Sequence, residues 1–308
     1  MSWILLSFIP PLLWSFSIIL YDYLAKRRFS DNPTLMILMA SFMELIGGAF
    51  LLLLYPGAWA IPVLDKSALM LLGVVIGIGF IPYVWALKDC DASLAVPIFQ
   101  IVPVFIFILE WLFMDQTFTL TGVAIALFIM AAAIGLSWDF RSRNFHWRAL
   151  GLMLLSSFIL GVYSTFAKYY TDAYTPIYAY CWALLGAGIA AVIVYALHPP
   201  WFRQTRAILR GSSLRLTGIF AIQAVFDILA VGVFFLAIAK APAAAYVQTL
   251  NGLQPLYVLL LSYGAGRVLS AHFDTHYIDA YFGWKLVCIL ALIAGVTALI
   301  LHFRTGLL

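Results

Sequence analysis

Phe80-Ile-Pro-Tyr-Val-Trp85-Ala-Leu-Lys88 runs into an Ala/Val-rich stretch that reaches Gln100 and Pro103. Gly232-Val-Phe-Phe-Leu-Ala-Ile-Ala-Lys240 runs into an Ala/Tyr/Val-rich stretch that reaches Asn251 and Pro255. Lys88 to Lys240 and Pro103 to Pro255 are both offset by 152. In a strongly apolar chain, this recurrence reads as two homologous membrane halves that meet around a shared region.

Outward from that pair the register continues. Tyr21-Asp-Tyr-Leu-Ala25-Lys26 corresponds to Tyr163-Ser-Thr-Phe-Ala167-Lys168 at an offset of 142, and Thr121-Gly122 corresponds to Phe282-Gly283 at 161. Each increase falls in a connection, around His198 to Ser213 and around Arg267 to Ile278. Length changes confined to loops are what a duplication leaves behind, because loops tolerate insertion and spans do not.

The solvent follows from composition. Hydrophobic residues make up 65% of 308 positions and charged residues 10%, with a mean hydropathy of +1.04. A water-facing surface needs roughly 25% charged residues, which excludes an ordinary soluble domain. Apolar runs of about 20 residues, each enough to span a bilayer, place helices at about 3–24, 33–55, 67–87, 93–114, 118–138, 149–168, 176–197, 214–238, 243–265 and 283–303. The expected class is an all-α polytopic membrane protein, with about ten transmembrane helices as two inverted five-helix repeats. Residues 1–138 form the first repeat, 139–148 a charged linker and 149–308 the second. The inversion follows from counting, since five spans per half is odd. The first span has no basic leader and no Ala-x-Ala site, so it reads as a retained helix and not as a signal peptide.

Lys and Arg are unevenly placed. Thirteen sit in the odd-numbered connections or at their edges, while only Lys66, Lys168, Lys240 and Arg304 belong to the even connections and the termini. The positive-inside bias therefore favours both termini outside. The net charge of +4 gives no reason to expect nucleic acid, because it resides in short loops. Cys90, Cys181 and Cys288 are too few and too scattered for a disulfide framework or a zinc cluster.

At Ala92-Ser-Leu-Ala-Val-Pro97-Ile-Phe-Gln-Ile-Val-Pro103 and its echo Ala243-Ala-Ala-Tyr-Val-Gln248-Thr-Leu-Asn-Gly-Leu-Gln-Pro255, and at Trp14-Ser15, the chain resembles the EamA-type members of the drug/metabolite transporter superfamily. The resemblance implies alternating access by two rocking bundles. Helices one, three and four of each half would line a central cavity with help from the second, and the fifth and tenth would lie at the periphery. Two departures stand out. Family members often carry Glu just after the fourth helix, where this chain has Asp115-Gln116 with Glu110 earlier. Many ten-helix members are expected to keep both termini in the cytoplasm, against the charge bias here.

Glu44 and Asp227 lie mid-span. A carboxylate at bilayer midplane costs about 2.5–3.5 kcal/mol, so its presence calls for a partner or a water-lined cavity. Proton coupling or cation binding is the functional reading; a buried hydrogen bond that fixes helix packing is the plain one. Gln100, Gln248, Asn251 and Gln254 bring polar groups beside Pro103 and Pro255, and broken helices in matching positions of both halves point to a midplane site. Trp14, Tyr21, Trp85, Tyr163, Tyr180 and Tyr246 supply aromatic walls that suit an organic cation, or else pack and face lipid. Lys88 and Lys240 end the third span of each half as gate residues or as plain helix-end anchors. Glu110 could gate, snorkel, or pair with a loop cation. His272-x-x-x-His276-x-x-Asp279 has metal-like spacing only if helical, and reads better as a loop.

The expectation is a secondary active transporter of a small polar metabolite, with an amine-bearing solute favoured, coupled to protons or working by exchange. A lipid or multidrug exporter of the same fold is the alternative. An intramembrane enzyme would need a catalytic cluster, and none is visible. No catalytic residue, metal or cofactor is expected. The partners are a small-molecule substrate, protons and membrane lipids, with monomer or homodimer open, in a cell membrane read as the bacterial inner one.

Overall fold

The computed structural model describes residues 2–28, 32, 34–89, 100–137, 147–212, 214–268 and 282–305. Thirteen α-helices are described: α1 (Ser2–Ser7), α2 (Ile9–Arg28), α3 (Thr34–Leu54), α4 (Val63–Asp89), α5 (Val102–Phe113), α6 (Leu120–Ser137), α7 (Trp147–Ala173), α8 (Pro176–Leu197), α9 (Pro199–Arg210), α10 (Leu214–Lys240), α11 (Ala244–Leu250), α12 (Gln254–Val268) and α13 (Phe282–Thr305). Among the described residues, eight stretches are long and apolar enough to cross a bilayer. Large apolar side chains stand open around them, including Leu53 at 81%, Leu64 at 81% and Leu120 at 86% exposed. Helices that satisfy their own backbone can carry such a surface in lipid and not in water. The chain is an integral multi-pass membrane protein.

Proline sets the breaks. Pro10 and Pro11 occupy the first turn of α2, where a missing N–H costs nothing, and α1 is a separate short turn before them. The fourth span is described only as the 12-residue α5, with Pro103 in its first turn. The ninth is divided by a 3₁₀ turn, Asn251–Leu253, just before Pro255. The expected long spans at 93–114 and 243–265 are thus not single described helices. For the ninth span the reason is Pro255, which cannot donate to the preceding turn; residues 93–99 of the fourth lie outside the described residues. Ser15 ties the division to α2, since its hydroxyl reaches both the Pro11 carbonyl at 2.6 Å and the Gln254 carbonyl at 3.3 Å.

The packing shows two repeats with exchanged roles. The third span, α4, lies on the sixth, α7, and the eighth, α10, lies on the first, α2; likewise α5 lies on α7 and α12 on α2, while α6 and α13 pair. One relation is unequal. Helix α4 packs broadly on α8, whereas its counterpart α10 meets α3 only narrowly. Glycine explains the first contact: a Cβ on Gly73 would stand 2.0 Å from the Ala183 carbonyl oxygen, and one on Gly186 2.0 Å from that of Met70. In the 152 register Gly73 and Gly77 become Val225 and Leu229, which are 53% and 51% exposed. The loosely packed seam between α3 and α10 is where Glu44 and Asp227 lie.

Candidate functional site

Glu44 is the eleventh residue of the 21 in α3, and Asp227 the fourteenth of the 27 in α10, so both sit at mid-helix. One turn before Asp227, the Gln223 amide donates to its Oδ2 and, at 3.0 Å, to the Ser17 hydroxyl of α2. Ser17 also hydrogen-bonds the Asp227 carboxylate directly. This three-residue knot fixes α10 to α2. Across the seam, Glu44 hydrogen-bonds Ser41 on its own helix and lies within electrostatic reach of Asp227. Both acids are crowded by protein yet keep accessible surface. Neither has a basic partner among the described residues.

Tyrosines surround the pair. Tyr163 of α7 and Tyr180 of α8 both lie within electrostatic reach of Glu44. Phe235 holds their rings, with centroids 6.1 Å and 5.3 Å away respectively. The Tyr180 hydroxyl donates to the Ile228 carbonyl at 2.5 Å, next to Asp227. Tyr21 lies within electrostatic reach of Asp227 and Tyr83. The Tyr21 hydroxyl and the Gln223 Oε1 are buried without a hydrogen-bond partner. Buried polar atoms are nearly always paired, so these two orphans leave hydrogen-bonding capacity unmet near a carboxylate. Trp14 lies one turn before Ser17, with its ring 6.1 Å from Phe234.

Near Glu110 a second polar cluster forms. Its carboxylate does not snorkel: it is 1% exposed and accepts the backbone N–H groups of Ala244 at 2.7 Å and Ala245 at 3.2 Å. These are orphan donors at the start of α11, so a side chain from the first half caps a helix of the second. Lys168 of α7 lies within electrostatic reach and pairs with Asp172 at 2.5 Å. Tyr246 belongs here and not beside the Glu44–Asp227 pair, because its ring packs on Phe107, Phe118 and Phe303. Asp115, at the position where the family often has Glu, is an exposed turn residue with φ 50°.

The remaining sequence candidates scatter. Asn251 Nδ2 donates to Gln248 Oε1 at 2.8 Å, and Asn251 Oδ1 is a further buried orphan. Gln100 lies beside Gly252, where an added Cβ would come within 4.0 Å of its Oε1. Trp85 is 41% exposed, and Lys240 is exposed at the end of α10. The Lys88 side chain, the Ala92–Phe99 stretch, most of the 139–148 linker and the His272/His276/Asp279 motif lie outside the described residues. Among the described residues no three metal-ligating side chains cluster. Ser17, Ser41 and Gln223 were not singled out from sequence, although the four-residue spacing of Gln223 and Asp227 was a usable signal.

Two sets of membrane helices with exchanged packing roles are the architecture of an inverted-repeat membrane protein. The sequence matches the EamA-like transporter family over residues 1–138 and 147–271, and the chain belongs to that family. No curated protein matches it. A solved crystal structure superposes over 97% of this chain and 95% of its own, with a TM-score of 0.66 at 17% identity. That likeness is one of fold.

Proposed function

We propose that this transporter carries a small amine-bearing solute and exchanges it for protons at the Glu44–Asp227 pair. One observation carries the reading: two mid-helix carboxylates from opposite repeats lie within electrostatic reach of each other, with no basic partner among the described residues. Each costs about 2.5–3.5 kcal/mol at that depth when charged and alone. An ammonium group between them offsets the cost, and so do protons, but nothing keeps the pair charged and empty. Competition between cation and proton for one site is enough for coupling.

The surroundings suit such a cargo. Tyr163 and Tyr180 offer aromatic faces that attract a cation, while the orphan Tyr21 hydroxyl and Gln223 Oε1 supply a donor and an acceptor for its polar remainder. The narrow α3–α10 contact is the seam whose opening would admit solute. On the lysine and arginine bias, both termini face outward across a bacterial inner membrane.

The test is a thermal-unfolding screen of the purified protein against amines, amino acids, carboxylates and neutral metabolites, because a ligand stabilises the state it binds. Amines should raise Tm in the wild type and lose at least tenfold in affinity in Asp227→Asn. Stabilisation by carboxylates alone, or amine binding unchanged in Asp227→Asn, would contradict the reading.

A further inference from the structure

Helix α9 does not cross the membrane. Its 12 residues reach about 18 Å at 1.5 Å each, short of a ~30 Å hydrocarbon core. It lies in the connection between α8 and α10, on the arginine-rich face of the molecule. At about 100° per residue its side chains separate into distinct faces. Trp201, Thr205 and Ile208 form one, which is turned into the bundle: Thr205 is buried and bonds Tyr195 at 3.1 Å, while Trp201 and Ile208 pack against the Leu24–Met39–Phe220 cluster. Arg203, Arg206 and Arg210 recur at three- and four-residue spacing on the opposite face, and all three are exposed. Between these two faces lie Phe202 and Leu209, which are 53% and 43% exposed.

Protein on one side, apolar side chains on the next and arginines on the third is the pattern of a helix lying at the lipid interface. Beside it is a shallow, open cleft lined by Leu24, Met39, Leu209, Leu216, Thr217 and Phe220, nearly all carbon. Leu209 belongs both to the cleft and to the lateral apolar face of α9, so the cleft begins where the arginine row ends.

We infer that α9 and this cleft hold an anionic phospholipid, with its phosphate on the Arg203–Arg206–Arg210 row and one acyl chain lying along the apolar mouth of the cleft. Guanidinium forks bind phosphate oxygens in pairs, which gives a preference over zwitterionic lipid whose own cation competes for the phosphate. The cleft joins the ends of α2 and α10 to α3. A lipid there bridges the first and eighth spans at the edge of the α3–α10 seam. It is a resident of the fold and not the cargo, and it does not depend on the solute assigned above.

The experiment uses the full-length protein, stripped of lipid in mild detergent and titrated with phosphatidylglycerol, phosphatidylcholine or soluble glycerol phosphate. It is read by thermal unfolding and by native mass spectrometry. Phosphatidylglycerol should raise Tm by several degrees and stay bound at least tenfold more tightly than phosphatidylcholine. The exposed triple substitution R203Q/R206Q/R210Q should abolish the preference, and the corresponding triple lysine variant should keep part of it. Thr217→Trp, which fills the cleft, should weaken retention of both lipids. Equal effects of the two lipids, or a preference that survives the glutamine variant, would overturn the headgroup assignment. Glycerol phosphate matching phosphatidylglycerol would reduce the site to a free-anion site, and unchanged retention in Thr217→Trp would remove the acyl chain from the cleft.

Discussion

Replacing Glu110 by alanine tests whether the two halves are held together by a cap in trans. The carboxylate is buried and accepts the N–H groups of Ala244 and Ala245 at 2.7 and 3.2 Å. Ala244 and Ala245 are themselves fully buried, so both donors are orphaned by the substitution. Each unsatisfied buried donor costs about 1–3 kcal/mol, which gives roughly 2–6 kcal/mol for Glu110→Ala. Glu110→Gln retains one carbonyl oxygen, which satisfies one N–H while its NH₂ opposes the other; its cost should be about half. The measurement is reversible unfolding in mixed micelles of increasing denaturing detergent, monitored by helicity. The ordering wild type, Glu110→Gln, Glu110→Ala with nearly even steps is expected. A Glu110→Ala protein within about 1 kcal/mol of wild type would refute the reasoning, since two buried donors cannot go unpaired so cheaply.

Gly186→Ala should destabilise by about 1–3 kcal/mol in the same unfolding assay, since its Cβ would stand 2.0 Å from the Met70 carbonyl oxygen and that backbone cannot withdraw. Gly151→Ala, at a glycine where an added Cβ meets nothing within 4 Å, is the matched control and should be close to neutral. Asp172→Asn should change stability by less than about 1 kcal/mol, because its carboxylate is 46% exposed and the ion pair with Lys168 is screened. Tyr174 lies in the connection between α7 and α8, and donating its hydroxyl to the Asp65 carboxylate pushes its ionisation up to about 12. A folded value raised above the ordinary 10 contributes stability that is complete below pH 10 and is lost as pH rises through 12. Labelled-tyrosine NMR should find a resonance that titrates near 12 and disappears in Tyr174→Phe.

Much of the architecture was legible in the sequence because a membrane span is a composition signal. Twenty apolar residues state their environment whatever they pack against. The duplication was legible for a related reason: Lys88/Lys240 and Pro103/Pro255 mark helix ends and breaks, which loops cannot move. Pairing across the bundle was not legible. Glu44 and Asp227 could each be placed mid-span, but nothing local says that they share one seam, because that depends on the unequal packing of α3, α4, α8 and α10. Glu110 shows the limit most plainly. From sequence it was an acid near a helix end, with the interface in reach. Its partners are backbone N–H groups 134 and 135 residues away, and backbone donors carry no residue-type signal at all. Tyr246 was grouped with the aromatic candidates on chemistry alone, and the structure seats it in the Phe107–Phe118–Phe303 cluster instead.

The central claim is that Glu44 and Asp227 together form one site at which an amine and protons compete. It is tested most directly in proteoliposomes loaded with a pH-sensitive dye and exposed to labelled lysine or choline as amine probes. Amine entry matched by proton exit is expected in the wild type. Amine movement without proton exit, or no movement, is predicted for Asp227→Asn and Glu44→Gln, and the double variant should be no worse than the poorer single one because the two acids act as a unit. Amine uptake with intact proton exchange in both single variants would contradict it.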